Sequence, residues 1–446
     1  MRKKLFLLSL GCPKNLVDSE VMLGQLEQAG YCVVETPEAA DLLLVNTCGF
    51  IRPAVEESID EILALAEIKK TDPGKRLVVT GCLVQRYGDK LREELPEVDL
   101  FIGTDGFQEI AALVDRPPAG LLLQREPAFL MHSTTARRIS TPSHRAYLKI
   151  TEGCANRCSY CMIPALRGEL RSRLPQDVVA EAQNLGQAGV QELTLVAQDL
   201  TAYGLDLGSD GPRLTSLLRL LLASCRIPWL RLLYLHPGRV DDHLLDLLLA
   251  EPRIVPYLDI PLQHVSSRLL RRMNRPYDKA RIETMLHAVR NRPAHVALRT
   301  TFMVGFPGET ETEVEEIADF LRLHCFDHVG IFPFSPEEGT PAAEMDEQVE
   351  DEEKEARRDH LMAVQADIAL ANNEKFIGRV EPVLVEGLSR ESDLLVEGRT
   401  RYQAPEVDGC VYITAGQCQA GDIVPVRLTE AHPYDLVGEI VTEKDG

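Results

Sequence analysis

Apolar runs typical of β-strands alternate with amphipathic helical patterns over most of this chain, and that alternation limits the fold more than any other feature. Near the N-terminus, strands are predicted at residues 4–10, 41–45 and 76–79, and helices follow at 15–29, 53–69 and 85–95. Strands that alternate with helices form parallel sheets whose faces are covered by those helices. The sequence therefore predicts an α/β fold that begins with an N-terminal parallel sheet domain at residues 1–117.

The alternation resumes after a linker predicted at 118–142, which opens near Pro117-Pro118-Ala119-Gly120 and becomes rich in Ser, Thr, Pro and Arg at 133–143. Strands are predicted at 147–151, 192–197, 229–235, 257–260, 298–304 and 328–334. Helices are predicted at 176–188, 214–224, 241–251, 266–273, 280–291 and 311–324. Six such units predict a partial (β/α)6 barrel at 143–372, with its active site at the C-terminal ends of the strands.

The pattern changes after a charged amphipathic helix predicted at 350–375. Short runs with β-branched residues occur at 380–385, 394–397, 411–413, 423–428 and 436–441, separated by Gly and Pro. Five strands without helices predict a small antiparallel β-barrel, placed at 376–446.

The charge of the chain indicates its partners. The formal net charge is −21 at pH 7, and residues 376–446 carry six basic and thirteen acidic side chains. A surface built mainly to hold nucleic acid would be basic, so this charge argues against that class and favours a basic partner.

The sequence also predicts the cellular location of the protein. Its 11 cysteines are clustered rather than distributed as a disulfide framework, which indicates a reducing cytoplasm. Residues 5–10 form an apolar run that is too short for a signal peptide and has no small-residue cleavage pattern. No apolar run approaches the roughly 18 residues that span a membrane, so no membrane association is expected.

Three cysteines lie within eight residues, in the pattern C-x3-C-x2-C at Cys154, Cys158 and Cys161. They follow the predicted 147–151 strand, at the edge of the barrel where an active site is expected. Structural zinc takes four closed ligands, and an electron-transfer iron–sulfur cluster is usually held by four cysteines. Three thiolates would leave one iron open for another ligand. The alternatives are three unrelated thiols and a zinc site with a distant fourth ligand.

Three further cysteines, Cys12, Cys48 and Cys82, each follow a predicted strand of the N-terminal sheet and stand beside a glycine. Ligands of parallel sheets bind at this edge, and glycine allows backbone to approach a bulky ligand. The pattern predicts a second cluster with an open iron; the alternative is that these are small buried residues. Cys32 lies inside an apolar run and is expected to be a packing residue.

The motif at Cys154, Cys158 and Cys161 resembles the CxxxCxxC motif of the radical S-adenosylmethionine (radical SAM) superfamily, which also has a six-unit barrel. The resemblance implies a 4Fe-4S cluster whose open iron binds SAM, and reductive cleavage of SAM to a 5′-deoxyadenosyl radical. The remaining strand ends then become candidate SAM contacts: Gln198 after the second strand, Gln263 after the fourth, and Gly305 and Gly308 after the fifth.

The roles of other polar residues near these strand ends can be interpreted in more than one way. His264 could contact the site or be a satisfied core histidine. Arg167, Arg171 and Arg173 follow the cysteine loop and could meet an anionic substrate or the SAM carboxylate. For Arg268, Arg271, Arg272 and Arg275, a solvated helix face is the favoured interpretation.

The C-terminal strands resemble the TRAM domain, an OB-like module that usually binds RNA, although here it is acidic and poor in aromatic residues. Three spread cysteines, then CxxxCxxC, then TRAM is an order that resembles the radical SAM methylthiotransferases. One branch of that family modifies an isopentenylated tRNA adenosine, and another modifies an aspartate of small-subunit ribosomal protein twelve. The runs at 153–173, 197–206 (AQDLTAYGLD) and 257–275 resemble the ribosomal-protein branch.

The resemblance implies two 4Fe-4S clusters, one held by Cys154, Cys158 and Cys161 and one by Cys12, Cys48 and Cys82. The second would carry the sulfur to be inserted. One SAM would donate a methyl group, and another would yield the radical that takes hydrogen from the aspartate β-carbon. No catalytic side chain beyond the cluster ligands is expected. The expected partners are the basic ribosomal protein and a reductant such as flavodoxin or ferredoxin. A tRNA substrate and a non-catalytic iron–sulfur protein are the alternatives.

Overall fold

The computed structural model describes residues 3–115, 120–123, 126–389, 392 and 395–441. Its N-terminal part is a parallel sheet in the order β2-β1-β3-β4-β5-β6. The strands are β1 (Lys4–Ser9), β2 (Cys32–Val33), β3 (Leu42–Thr47), β4 (Arg76–Gly81), β5 (Leu100–Ile102) and β6 (Leu121–Leu122). The helices are α1 (Pro13–Gln28), α2 (Arg52–Thr71), α3 (Cys82–Glu94) and α4 (Ile110–Leu113). The predicted parallel α/β sheet is confirmed.

The burial of the strand β3 shows that both faces of this parallel sheet are covered. All six of its residues are buried. Leu42 and Leu44 pack in the core formed with α1 and α4, whereas Leu43 and Val45 pack in the core formed with α2 and α3. Successive side chains of a strand point to opposite faces, so a strand that is apolar at every position must be covered on both sides.

The sheet also extends beyond the predicted strands. The strand β6 pairs with β5 in parallel, so residues 121–122, predicted to be linker, belong to the N-terminal sheet. Pro117 to Ala119, where the linker was predicted to open, lie outside the described residues. Residues 133–143 contain no helix or strand, as expected for a crossing segment.

The central part contains six parallel strands and a short antiparallel ribbon. The strands are β7 (Arg145–Lys149), the ribbon β8 (Thr151–Glu152) and β9 (Arg171–Ser172), then β10 (Glu192–Val196), β11 (Trp229–Leu232), β12 (Tyr257–Asp259), β13 (Ala297–Val304) and β14 (His328–Pro333). The helices are α5 (Ile163–Arg167), α6 (Pro175–Gln187), α7 (Leu214–Ser224), α8 (Asp242–Ala250), α9 (Ser267–Arg272), α10 (Lys279–Arg290) and α11 (Glu311–His324).

These six strands form a partial barrel, as predicted. The strands β7, β10 and β11 make one parallel sheet, and β12, β13 and β14 make another. The two sheets are joined by a parallel bridge between Leu230 and Ile254 and by the Leu235 amide, which donates to the Asp259 carbonyl at 2.8 Å. The helices pack outside around one large apolar core. The C-terminal ends of all six strands therefore surround a common opening.

The helix α12 (Asp351–Glu374) packs against α11 and β14 and leads to a closed five-stranded barrel. Its strands are β15 (Val380–Leu388), β16 (Val396–Thr400), β17 (Val411–Ala415), β18 (Ile423–Ala431) and β19 (Leu436–Ile440). The predicted small barrel is confirmed; β17 and β19 pair in parallel, whereas its other neighbouring pairs are antiparallel. Residue 394, where one strand was predicted to begin, lies outside the described residues.

The small barrel lies against the N-terminal ends of the central strands. Trp229, Tyr257 and Ala297, the first residues of three strands, share an apolar cluster with Leu384 and Ala404 of the small barrel. The opposite, C-terminal edge of the central strands is thus left to the N-terminal sheet and to the candidate site. Within the described residues, no helix is both long and apolar enough to cross a membrane.

Candidate iron–sulfur and SAM site

One cavity lies between the carboxyl ends of the N-terminal sheet and those of the central barrel. The six cysteines of both predicted sites line it: Cys12, Cys48, Cys82, Cys154, Cys158 and Cys161. The two triads come from separate parts of the chain, so only the packing of the N-terminal sheet on the barrel brings them to a common space.

The N-terminal triad is assembled at three neighbouring strand ends. Cys12 immediately precedes α1, Cys48 follows β3, and Cys82 is the first residue of α3. The adjacent glycines have a different purpose from the one expected. A Cβ on Gly11 would lie 3.0 Å from the Cys48 Cβ, and one on Gly81 would lie 2.6 Å from the Thr47 carbonyl oxygen. These glycines allow the strand ends to approach each other, rather than a ligand.

The second triad lies on the loop between β8 and α5. The loop begins at Gly153, whose φ is +70° and whose Cβ would lie 2.1 Å from the Glu169 carbonyl oxygen. Each sulfur accepts one hydrogen bond from the protein. The Asn156 amide donates to Cys154 at 3.4 Å, the Arg275 guanidinium to Cys158 at 3.3 Å, and the Ile163 amide to Cys161 at 3.5 Å. Donors of this kind stabilise a thiolate.

Burial sets the protonation of the free thiols. It raises the pKa of Cys48 and that of Cys161 to about 12, so both are neutral thiols at neutral pH. Burial acts in the same direction on Cys12, but Lys14 and Arg167 outweigh it and lower the pKa of that thiol below 9.0. A metal centre binds thiolates, so its binding here must release protons.

The donor set fits iron–sulfur chemistry. Thiolates are the soft ligands that hold such clusters, and each cysteine ligand binds a different iron. Among the described residues, no group of three or more His, Cys, Asp or Glu side chains is arranged to hold a single metal ion. A cluster, whose ligands are spread over several irons, needs a wider arrangement than one ion does. A 4Fe-4S cluster held by three cysteines would have its fourth iron left for a non-cysteine ligand.

A buried ionic network fixes the two triads relative to each other. Arg167 donates to Asp18 of α1 at 2.7 Å, to Glu152 of the barrel at 3.1 Å and to the Cys82 sulfur at 3.6 Å. Lys149 pairs with the same two carboxylates. Burial opposes ionisation of Glu152, but Lys149 and Arg167 outweigh it and hold its pKa at about 2. Arg167 thus follows the cysteine loop, as noted in the sequence, and joins both halves of the site.

The barrel contributes polar side chains from its strand ends. Gln198 and Gln263, both predicted to contact SAM, line the cavity. Asp199 lines it as well and accepts hydrogen bonds from Asn156 at 2.8 Å and from Arg239. The cysteine loop is therefore tied to the next strand end.

Gly305 and Gly308, the other predicted SAM contacts, are not part of the cavity lining. A Cβ on Gly305 would lie 2.2 Å from the Lys354 side chain, and one on Gly308 would lie 2.7 Å from the Glu347 carboxylate. The structure thus explains both glycines by close packing against the segment that includes the start of α12.

The alternatives for the other polar residues are also decided. His264 is fully buried, pairs with Glu309 at 3.1 Å and accepts two backbone amides, as a satisfied core histidine does. Arg173 is buried in ion pairs with Asp177 and Glu181, away from the cavity. For Arg275 the solvated interpretation is wrong, because its guanidinium is held against Cys158 inside the cavity.

Several cavity residues were missed by sequence reasoning, among them Lys14, Tyr234 and His236. Burial and the neighbouring Arg275 lower the pKa of His236 to about 3, so its ring is neutral, and its Nε2 has no partner among the described residues. Tyr234 adopts a φ of 63°. Lys14 is two residues after Cys12, and this proximity is the one signal in the sequence that could have indicated that Lys14 belongs to the site.

Comparison with known proteins agrees with this architecture. The uncharacterized protein family UPF0004 matches residues 4–103, the radical SAM superfamily matches 148–321, and the TRAM domain matches 377–441. A solved structure of the radical SAM methyltransferase TsrM from Kitasatospora setae, with cobalamin and a 4Fe-4S cluster bound, has a TM-score of 0.57 and 17% identity, covering 86% of this chain and 81% of that one. At that identity the likeness shows the fold alone.

Fold, cysteine loop and domain matches define the chain as a radical SAM enzyme that uses a 4Fe-4S cluster and SAM. The ribosomal protein uS12 methylthiotransferase RimO of Desulfotalea psychrophila is 55% identical, over 98% of this chain and 99% of that protein. The protein of the same name from Geobacter sulfurreducens is 46% identical, over 99% of each. The chain therefore belongs to the RimO family of methylthiotransferases.

Proposed function

We propose that this enzyme adds a methylthio group to the β-carbon of an aspartate in ribosomal protein uS12, small-subunit protein twelve, and that it uses two 4Fe-4S clusters. One observation carries the proposal: two separate cysteine triads line the same cavity. A cluster held by either triad would have one iron without a cysteine ligand, which is what a reaction needs when SAM binds at one cluster and sulfur at the other.

The chain's own residues have distinct roles in this proposal. Cys154, Cys158 and Cys161 would hold the SAM-binding cluster, and Cys12, Cys48 and Cys82 the auxiliary one. When bound, the clusters and SAM supply the sulfur, the methyl group and the radical chemistry. The Arg275 guanidinium donates to the Cys158 sulfur and would offset the negative charge of a thiolate ligand there.

The polar strand ends complete the site. Gln198 and Gln263 present amide groups to the cavity and are proposed to contact SAM. Asn156 is held by Asp199 and Arg239, which fixes the loop that follows Cys154. The reacting groups would sit in the cavity between the N-terminal sheet and the barrel.

The charge of the enzyme supports uS12 over tRNA. The net charge is −21, so long-range attraction favours a basic protein and disfavours a phosphate backbone. Ribosomal proteins are basic, and both they and free thiols belong to the cytoplasm, where we infer that the enzyme acts. A reductant such as flavodoxin or ferredoxin would supply the electrons.

A competition experiment tests the substrate. The reconstituted enzyme is incubated anaerobically with SAM, sulfide, a reductant, unmodified uS12 and unmodified tRNA together. Mass spectrometry is expected to find the methylthio group on a uS12 aspartate. A methylthio group on tRNA adenosine would support the proposed reaction but contradict uS12 as the substrate. Intact SAM after reduction would instead indicate a non-catalytic iron–sulfur protein.

Iron analysis tests the second cluster. Two 4Fe-4S clusters predict about eight irons per chain after anaerobic reconstitution. Replacing Cys12, Cys48 and Cys82 together by Ala should leave about four, because only the other triad would remain. The matched control replaces Cys32, Cys325 and Cys418, which do not line the cavity, and should keep the full content. An unchanged iron count in the first variant would contradict an auxiliary cluster.

A further inference from the structure

Lys14 is a buried cation on the wall of the cavity. Its side chain lines the space shared by the two cysteine triads, and only 6% of the residue is exposed. The Nζ atom lies 3.5 Å from the centroid of the Tyr234 ring. A cation over an aromatic face is stabilised, but less than by a carboxylate partner.

The side chains of the other two cations that line the cavity, Arg167 and Arg275, form hydrogen bonds or ion pairs with other groups of the protein. Arg167 is paired with Asp18 and Glu152. Arg275 donates to the Cys158 sulfur and to the Pro261 carbonyl oxygen. In the part of the chain that the structure describes, no carboxylate forms an ion pair with Lys14. Burying an ammonium group without an anion is costly, so such a position is suited to an anion that arrives from outside.

The aromatic partner of Lys14 is itself held in an unusual conformation. Tyr234 has a φ of 63°, which is strained for a residue with a side chain. Its amide donates to the Asp259 carboxylate at 3.0 Å, and its carbonyl accepts the Leu200 amide at 2.9 Å. These bonds hold the backbone in place despite the strain. Strain that the surrounding structure maintains is typical of binding and catalytic positions.

We propose that Lys14, supported by the Tyr234 ring, binds the side-chain carboxylate of the substrate aspartate. The inference rests on the proposed function and extends it to substrate selection. The substrate carboxylate provides the ion-pair partner that no carboxylate of the described residues supplies to the Lys14 ammonium. Holding it also holds the adjacent carbon, the atom to be modified, in the cavity that both triads line. An asparagine at the same place would lack the charge and bind more weakly.

A simpler role for Lys14 would be to offset the negative charge of the auxiliary cluster beside Cys12. Substrate binding and iron content separate the two roles. Synthetic peptides that span the target region of uS12, with either Asp or Asn at the modified position, are titrated anaerobically into the reconstituted enzyme. Wild type should bind the Asp peptide about tenfold to a hundredfold more tightly, the range of a charge-assisted hydrogen bond.

Lys14→Met and Lys14→Gln should bind both peptides equally and keep the iron content and electron paramagnetic resonance spectrum of wild type. Lys14→Arg should retain the preference for Asp. The matched control Lys70→Met removes a charge from an exposed position of the same sheet domain and should change nothing.

Retention of the Asp preference in Lys14→Met and Lys14→Gln would overturn the inference. Loss of about four irons per chain in these variants would overturn it as well, because Lys14 would then be needed to hold the auxiliary cluster. The proposed function has a separate test in the same assay, because wild type must methylthiolate the Asp peptide. If it does not, the proposed function fails, and this inference fails with it.

Discussion

One buried carboxylate joins the small barrel to the central barrel, in addition to the apolar cluster between them. Glu192, the first residue of β10, is fully buried between two arginines. Its Oε1 accepts from Arg231 at 2.5 Å, and its Oε2 accepts from Arg399 of the small barrel at 2.5 Å. Because the ionic group spans two domains, replacing Glu192 by Gln should weaken their attachment.

The expected size of the effect follows from the pKa. Burial raises the pKa of Glu192, but Arg231 and Arg399 outweigh burial and lower it from 4.5 to about 2. Each pH unit corresponds to about 1.4 kcal/mol, so the ionised form is stabilised by about 3 kcal/mol in the folded protein. Breaking a buried ion pair typically costs about 3–5 kcal/mol, which agrees with that value.

The only tryptophan of the chain provides the assay. Trp229 is paired with Glu192 in the register of β10 and β11 and is 4% exposed. Its emission should shift to the red when this contact opens. In urea, with a slope of about 2–3 kcal/mol per molar, the Glu192→Gln midpoint should fall by about 1 M at neutral pH. The control Glu56→Gln removes an exposed charge and should cost less than about 1 kcal/mol.

The pH dependence gives a second readout of the same group. A carboxyl whose pKa is lowered by folding contributes stability above pH 4.5, and that contribution is lost as the pH falls towards 2. Wild type should therefore lose this share of its stability in that range, whereas Glu192→Gln should not. A variant that unfolds at the same urea concentration as wild type would refute the reasoning from buried charge.

Two further predictions concern the cluster sites. Gly153→Ala should displace the loop that carries Cys154, because the new Cβ would lie 2.1 Å from the Glu169 carbonyl oxygen. Iron per chain should then fall by about four. The control is Gly189→Ala, where the φ is also positive, at +95°, but a Cβ would meet no atom within 4 Å, so this variant should keep its iron. Arg167→Met should leave buried Asp18 without this partner, lower the free energy of unfolding by about 3–5 kcal/mol and reduce iron at the N-terminal triad, as measured by denaturation and iron analysis. The exposed Arg157→Met is the control, and equal loss in both Arg variants would contradict a special role for Arg167.

Sequence periodicity was sufficient for the long strands and helices. The helices α7 and α11 have the predicted bounds, and the central strands agree within a few residues at each end. Each of these segments carries its own period of apolar residues, which is local information. The strands β5 and β6 have only three and two residues, too few for a period, and they were missed.

For the candidate site, the sequence was informative wherever chemistry is tied to spacing. The six cysteines could be chosen because a thiol at each strand end, or three thiols in one loop, is rare by chance. Glycine was a poorer guide, because its absence of a side chain is equally useful for packing. Gly305 accommodates Lys354, and the glycines beside the N-terminal triad accommodate neighbouring strand ends.

The sequence by itself determined the class of fold and singled out the cysteines that are proposed to bind iron, since both depend on local pattern and residue type. Only the tertiary structure placed the two triads on one cavity and Arg167 between them, 149 residues from Asp18. Within the part of the chain that the structure describes, it also left the buried Lys14 without a carboxylate partner. Such contacts join residues far apart in the chain, and they depend on which faces of the sheet and barrel pack together, which no local pattern records.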